Sequence, residues 1–212
     1  MWVQENQSIR RAKRREEILA AGEICLFASG YEGLKMQDVA AHASVAKGTV
    51  YLYFPSRDAL CACVAERNLS SLLSEFRAIA DEAPNGLAAM EGVLEKWLSH
   101  LDKRPHVGRV MAEWWRTKDI DAGSDAFNAY QHRAQGMLRF FETLLERGQS
   151  DGSVHAEVQP RYDALALWGA IFGAQLFSSN PAGTRLRLGA FDPALLRGAQ
   201  LRSLLRSLSA RP

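Results

Sequence analysis

Apolar positions recur at helical spacing along most of the chain, and strand-like alternation is confined to Val154, Ala156 and Val158 after an Asp151-Gly152 turn. One short strand would have nothing to pair with, so that stretch reads as a connector and the expected fold class is all-α. Ile18, Gly22, Cys25 and Ser29 share one helix face, flanked by Leu19 and Leu26. A first helix is expected from Ser8, as N-cap, to the residue before Gly30. A second covers Met36–His42, with Met36, Val39, Ala40 and Ala43 inward, and a third covers Lys47–Tyr53 before Pro55. Seven residues make a helix of only ~10 Å. Ser56 caps a fourth helix running from Asp58 to about Asp81. Further helices are expected over 86–100, 107–117, 125–148, 161–178 and 194–209, the last opened by Asp192-Pro193.

Two such short helices bury little by themselves and need the first and fourth as a lid, the helix-turn-helix pattern of a small bundle. The expected division is a head over residues 8–56 and a larger helical domain over residues 57–212. Within the latter, residues 161–178 are apolar all round from Ala164 to Phe177, so both faces of that helix need cover. A partner subunit on one side is the favoured reading, and a fully interior helix the alternative. Leu165, Gly169, Gly173 and Leu176, with Leu201 and Leu205 of the last helix, are the candidate dimer seam. Gly169 and Gly173 lie one turn apart and permit close backbone approach.

Charge changes the picture in one respect. The 212 residues carry a formal net charge of only +2, which by itself argues against a nucleic-acid partner. The average conceals segments: residues 8–57 hold eight basic and five acidic residues, residues 61–184 hold 12 and 16, and residues 185–212 hold six and one. The basic excess coincides with the short helices. Three cysteines, Cys25, Cys61 and Cys63, have no framework or zinc spacing and read as free thiols. With no apolar leader after the basic start and no apolar run long enough for a bilayer, a cytoplasmic protein without membrane contact is expected. No phosphate loop, dinucleotide fingerprint, HExxH or GxSxG occurs, and His100 and His106 are not spaced as a metal pair. No enzyme, metal or cofactor is expected.

The order Ile18-Leu19, Gly30-Tyr31-Glu32-Gly33, Met36-Gln37-Asp38-Val39-Ala40, Val45-Ala46-Lys47-Gly48-Thr49-Val50-Tyr51-Leu52-Tyr53-Phe54 and Pro55-Ser56-Arg57-Asp58-Ala59-Leu60 resembles the TetR family of bacterial transcriptional regulators. The likeness covers about a quarter of the chain, and elsewhere only the all-helical pattern agrees. It implies a DNA-binding head, a C-terminal domain that binds a small molecule and dimerises, and a palindromic double-stranded operator. The residues support those roles. The third helix starts with free N–H groups and a positive dipole end beside Lys47, suited to phosphate or base-edge contact. Gly48 allows close approach to the groove, while Thr49, Tyr51 and Tyr53 offer hydroxyls to phosphates. Val50 and Leu52 point roughly 160–180° apart around the helix, so a buried Val50 turns Leu52 outward, where it can touch a thymine methyl. Lys35 and Gln37 would sit at the DNA backbone. The run Arg10–Arg15 is either a groove-reaching arm or a solvated helix start. Four positions depart from the family pattern: Ser44 replaces the turn glycine, Lys35 and Ala46 replace capping Ser/Thr, and Leu52 stands where histidine is frequent.

The implied effector site falls where aromatic residues cluster. Trp97, His100, Met111, Trp114, Trp115, His132, Phe140, Trp168 and Phe172 are the candidates, with Glu113 and Arg116 as further polar groups. For each aromatic, ordinary core packing is the competing reading. Trp114 or Trp115 stands first, because adjacent positions cannot both face one core. The set favours an apolar or aromatic ligand. The expected function is that of a homodimeric regulator, a repressor released by its effector; a ligand-independent or activating regulator, or a helical carrier or enzyme, are the alternatives.

Overall fold

The computed structural model describes residues 2–103, 110, 114, 124–178 and 193–210. These form eight helices: α1 (Trp2–Gly33), α2 (Met36–His42), α3 (Lys47–Tyr53), α4 (Arg57–Glu82), α5 (Gly86–Lys103), α6 (Asp125–Asp151), α7 (Pro160–Ser178) and α8 (Pro193–Leu208). The helix expected over 107–117 lies outside the described residues except for Val110 and Trp114, both helical and buried. Ser8 does not cap α1, because helix already extends to Trp2; neither proline nor glycine interrupts residues 2–7. At the other end Gly30 breaks the helical path with φ 75° and ψ 175°, a conformation open to glycine.

The chain packs as two compact units, Met1–Asn68 with Val110–His132, and Leu69–Arg109 with Arg133–Pro212. The division falls inside α4, whose first three turns pack with the head. In the first unit Ile18, Leu19 and Leu26 of α1, Met36, Val39 and Ala40 of α2, Val50 of α3 and Leu60 and Val64 of α4 are all buried. At Gly22 a methyl group would lie 2.7 Å from Leu60 Cδ1, so its absence leaves room for the Leu60 side chain between α1 and α4. The turn after α2 has the Schellman form: Val45 N–H donates to Ala40 O at 3.0 Å and Ser44 N–H to Ala41 O at 3.1 Å. Ser44 takes the left-handed conformation, φ 52°. Neither Lys35 nor Ala46 makes a capping side-chain bond, whereas Ser56 Oγ accepts from Ala59 N–H at 3.0 Å and caps α4.

In the second unit Phe76 of α4, Met90, Val93 and Leu94 of α5, Met137, Phe141 and Leu145 of α6, Ile171 of α7 and Leu208 of α8 form one core. The start of α5 lies almost on the backbone of α6: a Cβ on Gly86 would meet Gly148 N at 2.2 Å, and one on Gly148 would meet Val154 Cγ2 at 2.3 Å. Gly86 N–H donates to Asp151 Oδ2 at 2.7 Å, and Arg147 donates to the carbonyls of Ala80 and Ala83 at 2.8 and 2.6 Å, closing the C-terminal end of α4. The stretch around Val154 is a connector, but it does find a partner. Val154 bridges Ser209, His155 N–H donates to Leu208 O at 2.9 Å, and Ala210 N–H donates to Ser153 O at 3.1 Å, so the residues after α8 are tied down.

Replacing Ser44 by glycine removes the left-handed strain while keeping both turn hydrogen bonds. The expected outcome is a gain of about 1 kcal/mol in the urea unfolding free energy. A lower midpoint would show that the serine side chain compensates for its backbone.

Candidate nucleic-acid interface

α3 divides sharply into an anchored and a free side. Val50 is fully buried, while Leu52 is 78% exposed and Tyr51 43%. Lys35, Gln37, Lys47 and Gly48 are also exposed, and Thr49 and Tyr53 are half-buried. Gly48 is open: nothing lies within 4 Å of where its Cβ would be, so neither fold nor packing requires glycine there. The Lys47 ammonium sits 6.0 Å from the centre of the Tyr51 ring, one turn along the same face. The free side therefore presents a cation, an aromatic hydroxyl, a bare backbone stretch and an aliphatic tip. That set suits phosphates and thymine methyls.

What aims this face is less visible in the sequence. Tyr31, buried after the Gly30 break, donates its hydroxyl to Asp58 Oδ1 at 2.5 Å, and the Arg57 guanidinium lies 4.2 Å over its ring. Burial, then the bond to Asp58, pushes the Tyr31 hydroxyl above its usual range. Phe54, the cap of α3, is buried, and the Arg15 guanidinium covers its ring at 5.1 Å. Arg67 pairs with Glu23, and Asn68 donates to the same carboxylate at 3.1 Å, clasping α4 to α1. These contacts join residues 26 to 45 apart along the chain, a separation at which no local pattern reports them. The thiols take no part in the face. Burial raises all three above the usual range, Cys61 to about 12, so they stay protonated.

The effector candidates do not form one set. Trp97, Phe140 and Trp168 belong to the aromatic core of the second unit, with Phe76 and Phe141: Trp97 lies 5.2 Å edge-on to Trp168 and 5.4 Å from Phe141, and Phe140 stacks on Phe76 at 6.4 Å. Phe76 was recoverable from the Leu69, Leu72, Leu73, Phe76 and Ala80 spacing on α4. His100 and Phe172 are half-buried in that unit. Trp114 packs in the first unit, edge-on to Phe127 at 5.9 Å and Tyr130 at 5.2 Å, and His132 there is exposed. Among the described residues the buried Trp114 Nε1–H has no acceptor. Met111, Glu113, Trp115 and Arg116 lie outside the described residues. Of the seam candidates, Leu165 is 56% exposed, and Gly169 and Gly173 have open space where a side chain would stand. Leu201 and Leu205 lean against the core of their own unit, and the side chain of Leu176 is outside the described residues. Ala164, Leu167 and Ile171 fill the opposite face of α7.

Residues 18–63 match the family model of bacterial regulatory proteins, tetR family. The chain is 29% identical over 200 residues to the transcriptional repressor KstR of Rhodococcus jostii, an alignment covering 94% of this chain and 86% of that one. It is also 29% identical over 102 residues to the nucleoid occlusion factor SlmA of Idiomarina loihiensis, spanning about half of each: 48% of this chain and 52% of the relative. Among solved structures, the fold is shared with the regulator FadR of Bacillus subtilis in complex with stearoyl-CoA, at TM-score 0.72 and 17% identity over 91% of this chain and 98% of that one.

Gly48 allows the interface to be separated from the fold. Gly48→Ala is expected to leave stability unchanged or raise it by up to about 1 kcal/mol, while lowering DNA affinity about tenfold by standing the α3 backbone off the groove. Unfolding and fluorescence anisotropy on one preparation check both halves, and undiminished affinity would show that α3 does not approach DNA at residue 48.

Proposed function

This chain belongs to the TetR family of bacterial regulatory proteins, and we propose that it is a homodimeric repressor that an apolar or aromatic small molecule releases from a palindromic operator. The observation that carries the reading is the free side of α3, where Lys47, Gly48, Tyr51 and Leu52 stand clear of a helix pinned by Val50. Two such heads occupy half-sites about 34 Å apart. The exposed face of α7, with Tyr162, Leu165 and Gly169, is the seam between the subunits. In this reading an acceptor group of the effector docks among Trp114, Phe127 and Tyr130, in support of which the buried Trp114 Nε1–H has no acceptor among the described residues. The stearoyl-CoA carried by the B. subtilis relative of this fold is an effector with a long apolar part, in keeping with that class. Effector binding favours a head spacing that no longer fits the two half-sites. A hundredfold shift of that equilibrium needs ~2.7 kcal/mol of differential affinity between the two states.

An operator duplex selected from a randomised pool is the probe. Lys47→Ala and Tyr51→Phe should each weaken binding about tenfold, and acyl and aromatic compounds should release the wild type but not Trp114→Phe. Operator affinity that no compound changes would favour a ligand-independent regulator. Failure to retard any duplex at low salt would remove the DNA-binding reading altogether.

The seam has its own check. Gly173→Arg places a charge in the open space on α7 and should give monomers by light scattering. A dimer of unchanged mass would move the interface elsewhere.

A further inference from the structure

Within the second unit, the middle of α6 and the first turns of α7 enclose an open groove of about 480 Å³. Gln135, Leu138, Arg139 and Glu142 line it from α6, Arg161 and Leu165 from α7. Its apolar part is the half-buried Leu138 and the exposed Leu165, and Tyr162, next along α7, is 68% exposed. The charges beside that apolar strip are unspent. Arg139 and Arg161 are exposed and Glu142 is half-buried, yet among the described residues no ion pair engages any of the three. Glu142 follows Arg139 along α6, the order less favourable for pairing on a helix. Asp163, the carboxylate in the first turn of α7, is already engaged, accepting from Gln159 N–H at 2.7 Å.

We propose that this groove is a self-recognition site: a second copy of this chain covers it, and across the two-fold axis Glu142 of each subunit pairs with Arg161 of the partner subunit. The inference rests on the reading of the α7 face as the subunit seam, carries that seam onto α6 and adds what selects the partner. Leu165 belongs to both the seam and the groove, so the two surfaces are continuous. A two-fold interface presents one patch to its own copy and has to complement itself. This patch can, because it holds both signs of charge. Covering the groove withdraws Glu142 from water, which is costly unless a cation meets it. No arginine of its own chain does so, whereas the same patch on a second copy supplies one, and symmetry makes the pair twice. Arg161 has that role rather than Arg139 because it sits on the seam helix, one turn from Leu165. The axis accordingly passes beside Leu165, in the N-terminal half of α7. Apolar contact there supplies affinity, while the charges refuse a chain that has a similar apolar face but like charge at these positions.

The test uses full-length Glu142→Arg and Arg161→Glu, each compared with the wild type by analytical ultracentrifugation and then mixed in equal amounts for native mass spectrometry. Each reversal turns two attractive pairs repulsive and should weaken its own homodimer about tenfold. In the mixed dimer both pairs are attractive again, so its share should rise from the statistical half to about nine-tenths. A pair formed inside one chain gives no such excess, because each variant then carries its repulsion whichever partner it takes. The double variant should dimerise like the wild type yet mix poorly with it, and about 1 M potassium chloride should erase both preferences. Should a reversal not fold, Glu142→Gln with Arg161→Gln carries the same test at smaller amplitude, since only their mixed dimer keeps a pair. A wild-type dimer whose variants self-associate equally well and mix at the statistical half overturns this inference alone; a monomeric wild type overturns it together with the seam it rests on. An excess with Arg139→Glu in place of Arg161→Glu would overturn the named pair. Statistical mixing, with hexanoate raising the melting temperature of the wild type but not of Arg161→Glu, would give the groove to a small anion instead.

Discussion

The head depends on a single close approach, the backbone of α1 at Gly22 against Leu60 of α4. α2 and α3 have seven residues each, below the length at which an isolated helix persists in water. Their buried residues, Met36, Val39 and Ala40 on one and Val50 on the other, need walls from elsewhere. α1 and α4 supply those walls only if they come together, and a methyl group at residue 22 would press on the buried side chain of Leu60. Around this contact the polar clasps fall into place: Tyr31 to Asp58, Arg57 over Tyr31, Arg67 and Asn68 to Glu23. With Val50 and Phe54 thus fixed, the exposure of Lys47, Tyr51 and Leu52 follows from helical geometry.

Electrostatic segmentation acquires a finer grain in three dimensions. The basic excess of residues 8–57 is shared between structure and surface. Arg15 and Arg57 lie over the buried rings of Phe54 and Tyr31, while Arg10, Arg11, Lys13 and Lys47, the last beside the exposed ring of Tyr51, stay in water. A cation on a buried ring stabilises the fold modestly and offers little to a phosphate, whereas an exposed one adds to the long-range field. On α8, Arg202 and Arg206 are both exposed.

Glycine shows most directly why part of the site was hidden. Gly86 is required by near-contact with the backbone of α6 at Gly148, while Gly148 is closed in by the side chain of Val154 and Gly22 by that of Leu60. Side chains at Gly48, Gly169 and Gly173 would meet nothing within 4 Å among the described residues. The first group holds the chain together; the second leaves room for something outside it. Tryptophan behaves likewise. Trp97 and Trp168 pack into an aromatic core, while the buried Trp114 has a donor without an acceptor among the described residues. Core and pocket use the same residue types at the same spacing, so the candidate effector residues could be enumerated but not sorted.

By itself the sequence determined the all-α class, the two short helices and their limits, the cap at Ser56, the start at Pro193 and the outward turn of Leu52. Each follows from local propensity or from helical periodicity, which a few consecutive residues define. The lone alternating stretch was correctly a connector, yet its partner at Ser209 is some fifty residues distant and had no local signature. Tertiary structure alone decided that α1 reaches back to Trp2, that Arg15 leaves the basic face, that Thr49 and Tyr53 share a cleft with Arg10 and Arg11, and that the aromatic candidates divide between two units. The physical reason is the same in each case. An apolar or charged face states that a helix has a neighbour or meets water, but which residues meet is set by the closure of segments far apart in the chain.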